Sequence, residues 1–260
     1  MAELERVVAL PLEDAREWAF GGSTGGGVDV AVIDSGVSAD HPAVGWLAGS
    51  VAFESDSDDP DHAHEVSGPH EDLVGHGTAC AGIIRALAPE ARIHSVRVLG
   101  PHLKGRGVLL LAGIRWALEN GMHVANLSLS SKSEAMFGPL HRIADAAYFG
   151  GTVLVSAANN QPGPTYPSEY SSVVSVAART GADVWGLAYN PRPPVEFGAR
   201  GIDVTVAWSG GGSIVASGNS FAAPHVTGMV ALLLAKHPGL TPFQVKAVLQ
   251  AVSDNAAPLS

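Results

Sequence analysis

The chain has one cysteine, Cys80, in 260 residues, so no disulfide can form within it. Basic residues are also scarce: 15 Lys and Arg stand against 25 Asp and Glu, a formal net charge of −10. That balance argues against binding a nucleic-acid backbone, which needs clustered positive charge. No apolar run approaches the roughly 20 residues of a membrane-spanning helix, so no membrane partner is expected. The first residues, Met1-Ala2-Glu3-Leu4-Glu5-Arg6, are charged and lack the apolar centre of a signal peptide. The expected location is the cytoplasm, or outside the cell if a leader has been removed. Charged residues make up only 15% of the chain and apolar ones 46%, which suits a sizeable core.

Strand-like and helix-like stretches alternate along the chain. A short amphipathic stretch over residues 13–20 leads into Gly21-Gly22-Ser23-Thr24-Gly25-Gly26-Gly27, a turn or linker. An apolar β-type run at 28–33 ends at Asp34-Ser35-Gly36. Residues 54–72 are rich in Asp, Glu and His and read as an acidic surface loop. Gly75-His76-Gly77-Thr78 opens an apolar helix over 79–87. Further strands are expected at 93–99, 122–129, 152–157, 173–178 and 202–208, with helices at 108–119 and 140–149. Two last helices, 220–236 and 242–252, follow Gly210-Gly211-Gly212 and Thr241-Pro242 respectively. This alternation implies a mainly parallel sheet covered on both faces, and there is no internal repeat.

Four residues stand where such a sheet gathers its loops: Asp34, His76, Asn160 and Ser220. Singly, each has an ordinary reading as a turn former, a loop residue or a helix cap. Together they offer a hydroxyl, an imidazole to take its proton, an acid to orient the imidazole and an amide donor. The order Asp, His, Ser is one of the known chain orders for such a triad.

The flanking residues make the pattern specific. Val30-Ala31-Val32-Ile33-Asp34-Ser35-Gly36, Gly75-His76-Gly77-Thr78-Ala79-Cys80-Ala81-Gly82 and Gly218-Asn219-Ser220-Phe221-Ala222-Ala223-Pro224-His225-Val226 resemble the Asp, His and Ser motifs of the subtilisin-like serine proteases. Ala157-Ala158-Asn159-Asn160 is similar to the segment that carries their oxyanion Asn. The resemblance runs from about residue 10 to 252 and implies a three-layer α/β subtilisin-like fold, with a mainly parallel central sheet flanked by helices. It implies one catalytic domain over 1–260, in which 1–27 is an N-terminal arm and Gly-rich linker and 54–72 an acidic insert. It further implies a serine endopeptidase with Ser220 as nucleophile, His76 as base, Asp34 as orienting acid and Asn160 as oxyanion donor. The substrate would be a peptide or protein. Its backbone would pair along Ser128, Leu129 and Ser130, with Ala157, Ala158, Thr165 and Asn219 also in contact.

The chain departs from the family at several places. Asn219 replaces the usual Thr before the nucleophile, and Phe221 the usual Met after it. Ser130-Ser131 replaces a Gly pair, and the added side chains are expected to narrow the cleft. Cys80 reads as a small buried hydrophobe, one helical turn past His76, whose modification by a mercurial would disturb the base. The loop that gives many relatives a calcium site is missing, and only 33 residues precede Asp34. In the acidic insert Asp56, Asp58 and Asp61 offer oxygen ligands, and His62 and His64 zinc-type ones. No familiar ligand spacing is met, so neither a metal nor any other cofactor is expected. A restricted substrate such as a precursor peptide suits a cytoplasmic protease. The rival readings are a transpeptidase or macrocyclase on the same triad, and a catalytically weak peptide-binding homologue. The oligomeric state is not legible.

Overall fold

A computed structural model describes residues 7–8, 14–56, 58–59, 61–66, 70–181 and 183–257. In chain order the elements are β1 (Val7–Val8), α1 (Ala15–Phe20), β2 (Asp29–Asp34), β3 (Gly49–Ser55), β4 (Ala63–Val66) and α2 (His76–Leu87). Next come β5 (Arg92–Arg97), α3 (Gly107–Glu119), β6 (Val124–Leu127), α4 (Phe137–Gly150), β7 (Val153–Ala157) and β8 (Val174–Arg179). The chain continues with β9 (Leu187–Tyr189), β10 (Phe197–Arg200), β11 (Val204–Ala207), β12 (Ser213–Ala216), α5 (Asn219–Lys236), α6 (Pro242–Ala251) and β13 (Ala256–Ala257).

Nine strands form the central sheet in the order β4-β3-β5-β2-β6-β7-β8-β10-β9. Every neighbouring pair from β3 to β10 is parallel, and only β4 and β9 at the two edges run antiparallel. The inner strands β2, β6 and β7 are buried almost throughout, as parallel strands covered on both faces must be. One core packs α2 and α5 on one side, including Cys80, Ile84, Val226 and Leu233. The other lies under α3 and α4, including Leu110, Ile114, Leu140 and Ala144. The result is three layers, helix on sheet on helix. α5 is buried from Phe221 to Leu234 on every face, so it is apolar all round rather than amphipathic.

Two segments are more definite in the structure than in the sequence. Part of the acidic stretch is sheet: β4 pairs with the end of β3, with Ala52 opposite Val66 and Ser55 opposite Ala63. A short edge strand needs no continuous apolar face, so its polar residues hide it. The Gly-rich stretch is a docked turn rather than a free linker. Ser23 Oγ donates to the Leu232 carbonyl at 2.8 Å, and Glu90 N–H donates to the Thr24 carbonyl at 2.9 Å. Ahead of it, Lys236 Nζ donates to the Glu17 carbonyl at 2.6 Å, and the Trp18 and His237 rings stack 4.0 Å apart. Apart from residues 7–8, the arm before Asp14 lies outside the described residues.

Candidate active site

Sheet growth reverses at β2: β5 and β3 lie on one side, β6, β7 and β8 on the other. Such a switch point leaves a crevice at the carboxyl ends of the strands. Asp34 is the last residue of β2 and is fully buried. Its backbone carbonyl accepts the N–H groups of Val98 and Leu99, at 2.8 and 3.1 Å.

α2 starts at His76, whose Nδ1 lies 2.8 Å from Asp34 Oδ1 in a hydrogen bond. With Nδ1–H donating to the carboxylate, Nε2 is left as the acceptor. Burial pushes the imidazole pKa down, but the charge of Asp34, its hydrogen bond and the charge of Asp72 together raise it above 6.5. The helix start is wedged in tightly. Gly75 sits at φ 111°, where a Cβ would come within 2.7 Å of Ser209 N and 3.0 Å of the Trp208 ring. A Cβ on Gly77 would collide with the Gly36 carbonyl.

Asp72 braces this start from the loop before it. Its Oδ1 accepts from Ser35 Oγ at 2.8 Å, Val74 N–H at 3.0 Å and Gly75 N–H at 2.8 Å. Its Oδ2 accepts from Thr78 N–H at 2.8 Å and Thr78 Oγ1 at 2.6 Å. Partial burial pushes the carboxyl pKa up, but the Thr78 hydroxyl and these backbone donors outweigh it and leave the pKa below 3.8. Negative charge at a helix N-terminus is favourable as well. By sequence alone Asp72 falls inside the acidic loop. An Asp four residues before a helical His, with a Thr two residues further on, is the signal that could have marked it.

Ser220 is the second residue of α5. Three neighbours set its surroundings. Asn219 N–H donates to Asn160 Oδ1 at 2.9 Å, which fixes the amide of Asn160 with Nδ2 left for another partner. Ser220 Oγ and Asn160 Nδ2 lie on the same side of Gly218, 3.3 and 3.8 Å from where a Cβ on it would stand. Asn219 turns its own side chain away. Its Oδ1 accepts from Ala178 N–H at 2.7 Å, and its Nδ2 donates to the Ala158 and Asn159 carbonyls at 3.0 and 2.9 Å. Phe221 N–H donates to the Gly218 carbonyl at 3.1 Å, so Ser220 N–H stays available at the positive end of the helix. Among the described residues no hydrogen bond joins Ser220 Oγ to His76. Such bonds are often long without substrate and shorten when it binds.

Pro224 explains the floor beneath Ser220. It has no N–H, so the Ser220 carbonyl lacks its partner four residues on. Ser128 Oγ supplies one at 2.8 Å, while itself accepting from Asn126 Nδ2 at 3.0 Å. Cys80 Sγ lies 3.3 Å from Ser128 Oγ, 3.6 Å from the Ser220 carbonyl and 3.8 Å from Asp34 Oδ2. Its thiol is fully buried, and burial followed by the charge of Asp34 pushes its pKa well above 9.0. A group held that way is a poor nucleophile and a slow target for modification.

A cavity of about 460 Å³ gathers these parts. His76, Ser220, Asn160, Ser128, Leu129, Ser130, Ala157 and Ala158 all line it, with Phe221 and Trp208 beside them. The Phe221 ring packs 5.5 Å from the imidazole of His76. Asp34 lies beneath, behind His76. Thr165 is not among the lining residues; its hydroxyl pairs with Ser168 Oγ at 2.9 Å in the interior. Of the two serines expected to narrow the cleft, Ser130 lines the cavity. Ser131 pairs with Tyr166 through backbone bonds of 2.8 and 2.9 Å.

Comparison with known proteins identifies the family. Residues 25–259 match the model of the subtilase family. The thermostable alkaline protease of Halalkalibacterium halodurans is 35% identical over 86% of this chain, and the match spans 62% of that protein's length. Subtilisin of Bacillus pumilus is 32% identical over 89% of this chain and 86% of its own. The crystal structure of a cold adapted subtilisin-like serine proteinase superposes with a TM-score of 0.73 at 30% identity, covering 95% of this chain and 88% of that one. The chain therefore belongs to the subtilase family of serine peptidases.

Proposed function

We propose that the chain is a serine endopeptidase that works through Ser220, His76 and Asp34. Ser220 Oγ attacks the scissile carbonyl. His76 Nε2 takes its proton and passes it to the leaving amine, and Asp34 holds the tautomer and stabilises the imidazolium. Asn160 Nδ2 and Ser220 N–H receive the oxyanion, and water then releases the acyl group. One observation carries the reading: the 2.8 Å bond between His76 and Asp34 lies at the floor of the cavity that Ser220 and Asn160 also line. The nine-stranded sheet takes strands from Asp29 through Arg200, which supports treating the chain as one catalytic domain.

The substrate is a peptide or protein lying extended along residues 128–130. Leu129, Ala157 and Ala158 give the cavity an apolar wall, and no carboxylate lines it, which favours a neutral or apolar side chain beside the scissile bond. A neighbouring cavity of about 380 Å³ shares Leu99, Leu103, Leu129 and Ser130 and adds Leu110, with Lys104 and Arg106 also on its wall. Two adjoining cavities, the second partly basic, support a restricted substrate of the precursor-peptide kind. Acyl transfer to an amine would require water to be kept out. None of the described residues of 54–72 lines the first cavity, which supports hydrolysis. The relatives give no support to a cytoplasmic location. No helix among the described residues is long and apolar enough to cross a membrane.

A fluorophosphonate probe tests the reading. Mass spectrometry of the labelled protein is expected to place one adduct on Ser220, absent from Ser220→Ala. Unlabelled wild type, or an adduct elsewhere, would rule the reading out.

A further inference from the structure

The hairpin at the sheet edge holds a second group of Asp and His, none of which lines the active-site cavity. The β3–β4 register sets Glu54 opposite His64 and Ser55 opposite Ala63. Asp56, one residue past β3, thereby meets His62, one residue before β4, and His64 within it. His62 Nδ1 lies 2.7 Å from Asp56 Oδ2, and His64 Nδ1 lies 2.9 Å from Asp56 Oδ1. One ligand atom from each residue falls within 4.8 Å of the other two. The two imidazoles are stacked, with centroids 6.5 Å apart and planes at 23°.

Hydrogen bonding accounts for His62, whose contact with Asp56 has good geometry. It does not account for His64. There Nδ1 is shut off from solvent and lies 2.9 Å from a carboxylate oxygen without the alignment of a good hydrogen bond. An N–H at that nitrogen would point past the oxygen, and a lone pair there would face another lone pair. A cation between the two atoms relieves both arrangements.

We propose that Asp56, His62 and His64 bind a divalent transition-metal ion of the zinc type, with water completing its shell. Two imidazoles and one carboxylate suit zinc, whereas calcium and magnesium take oxygen ligands. Around a tetrahedral zinc with bonds of about 2.0–2.2 Å the ligand atoms stand roughly 3.3 Å apart. The two short contacts therefore open by about half an ångström on binding. Side-chain exposures of 42% to 60% leave the groups room to do so. The ion ties together the two ends of the β3–β4 connection, where the sheet ends in a short edge strand. Its role is to hold that hairpin, so it does not depend on the peptidase reading.

The full chain, stripped with EDTA and dialysed, is titrated with Co²⁺ while the d–d absorption is followed, and then with Zn²⁺ as competitor. One equivalent is expected to bind at neutral pH, displaced by Zn²⁺ and not by Ca²⁺. Asp56→Asn, His62→Ala and His64→Ala should each weaken it at least tenfold. The exposed His141→Ala should leave it unchanged. Asp34, His76 and Cys80 form another close group, so the equivalent must persist in His76→Ala. Zn²⁺ should raise the unfolding temperature of wild type and not of the three hairpin variants, whose metal-free unfolding matches wild type. No Co²⁺ spectrum, or binding indifferent to the three hairpin substitutions, would overturn the proposal and leave an ordinary carboxylate–imidazole cluster.

Discussion

The Asp–His contact in the active site and the Asp–His cluster at the sheet edge have nearly equal lengths, and their surroundings suit them to different things. Asp34 and His76 meet at 2.8 Å with the carboxylate fully buried. Asp56 meets His62 at 2.7 Å and His64 at 2.9 Å, with side chains 42% to 60% exposed. Distance does not separate the pairs; surroundings do. In the buried pair the hydrogen bond is shielded from water, and Asp72, Gly75, Gly77 and Trp208 fix the ring. In the exposed pair water screens the charges and the rings have room to move. The first arrangement suits holding one tautomer through a reaction, and the second suits closing on a ligand.

Matched substitutions separate the two groups by the largest effect. Asp34→Asn should lower kcat by about 10⁴-fold, because the wrong tautomer of His76 is then held. Asp56→Asn should leave kcat and KM in metal-free buffer unchanged. Steady-state kinetics on one peptide reads both.

Asn160→Ala probes the buried region from its other wall. Loss of that donor should reduce kcat by about 10²–10³-fold with little change in KM. A change confined to KM would move Asn160 from the transition state to ground-state binding.

Asp72→Asn should have a smaller effect, on stability before chemistry. It replaces an acceptor of five hydrogen bonds with a group that can accept at only one atom. The expected loss is about 1–2 kcal/mol, discounted because the carboxyl is only partly buried. The folded carboxyl has a pKa below 3.8, so its stabilisation is complete above that value and fades as pH falls through the folded pKa. Urea unfolding at pH 7 and pH 3 should show the gap between variant and wild type shrinking in acid.

Much of this was legible in the sequence because it is written locally. Asp34 ends an apolar run, His76 opens a helix, and Ser220 opens one that is apolar all round. Each sits where its element places it, and the element is set by neighbours in the chain. Short strands at and next to the sheet edges were not legible: β4, β9 and β10 are three or four residues long and derive their order from their partners in the sheet. Side-chain direction was not legible either. Asn219 adjoins the nucleophile yet turns to Ala178, Ala158 and Asn159, and the Thr165 hydroxyl turns inward to Ser168. Asp72 was hidden by composition, since it ends a run of acids from which only the fold separates it.

In the proposed mechanism Ser220 is activated by an imidazole whose pKa a buried carboxylate raises. The rate at which a fluorophosphonate labels Ser220, measured across pH, tests it directly. The rate is expected to climb with pH as His76 loses its proton, with a midpoint above 6.5, and to fall by orders of magnitude at all pH values in His76→Ala. A rate indifferent to pH, or unchanged in that variant, would contradict it.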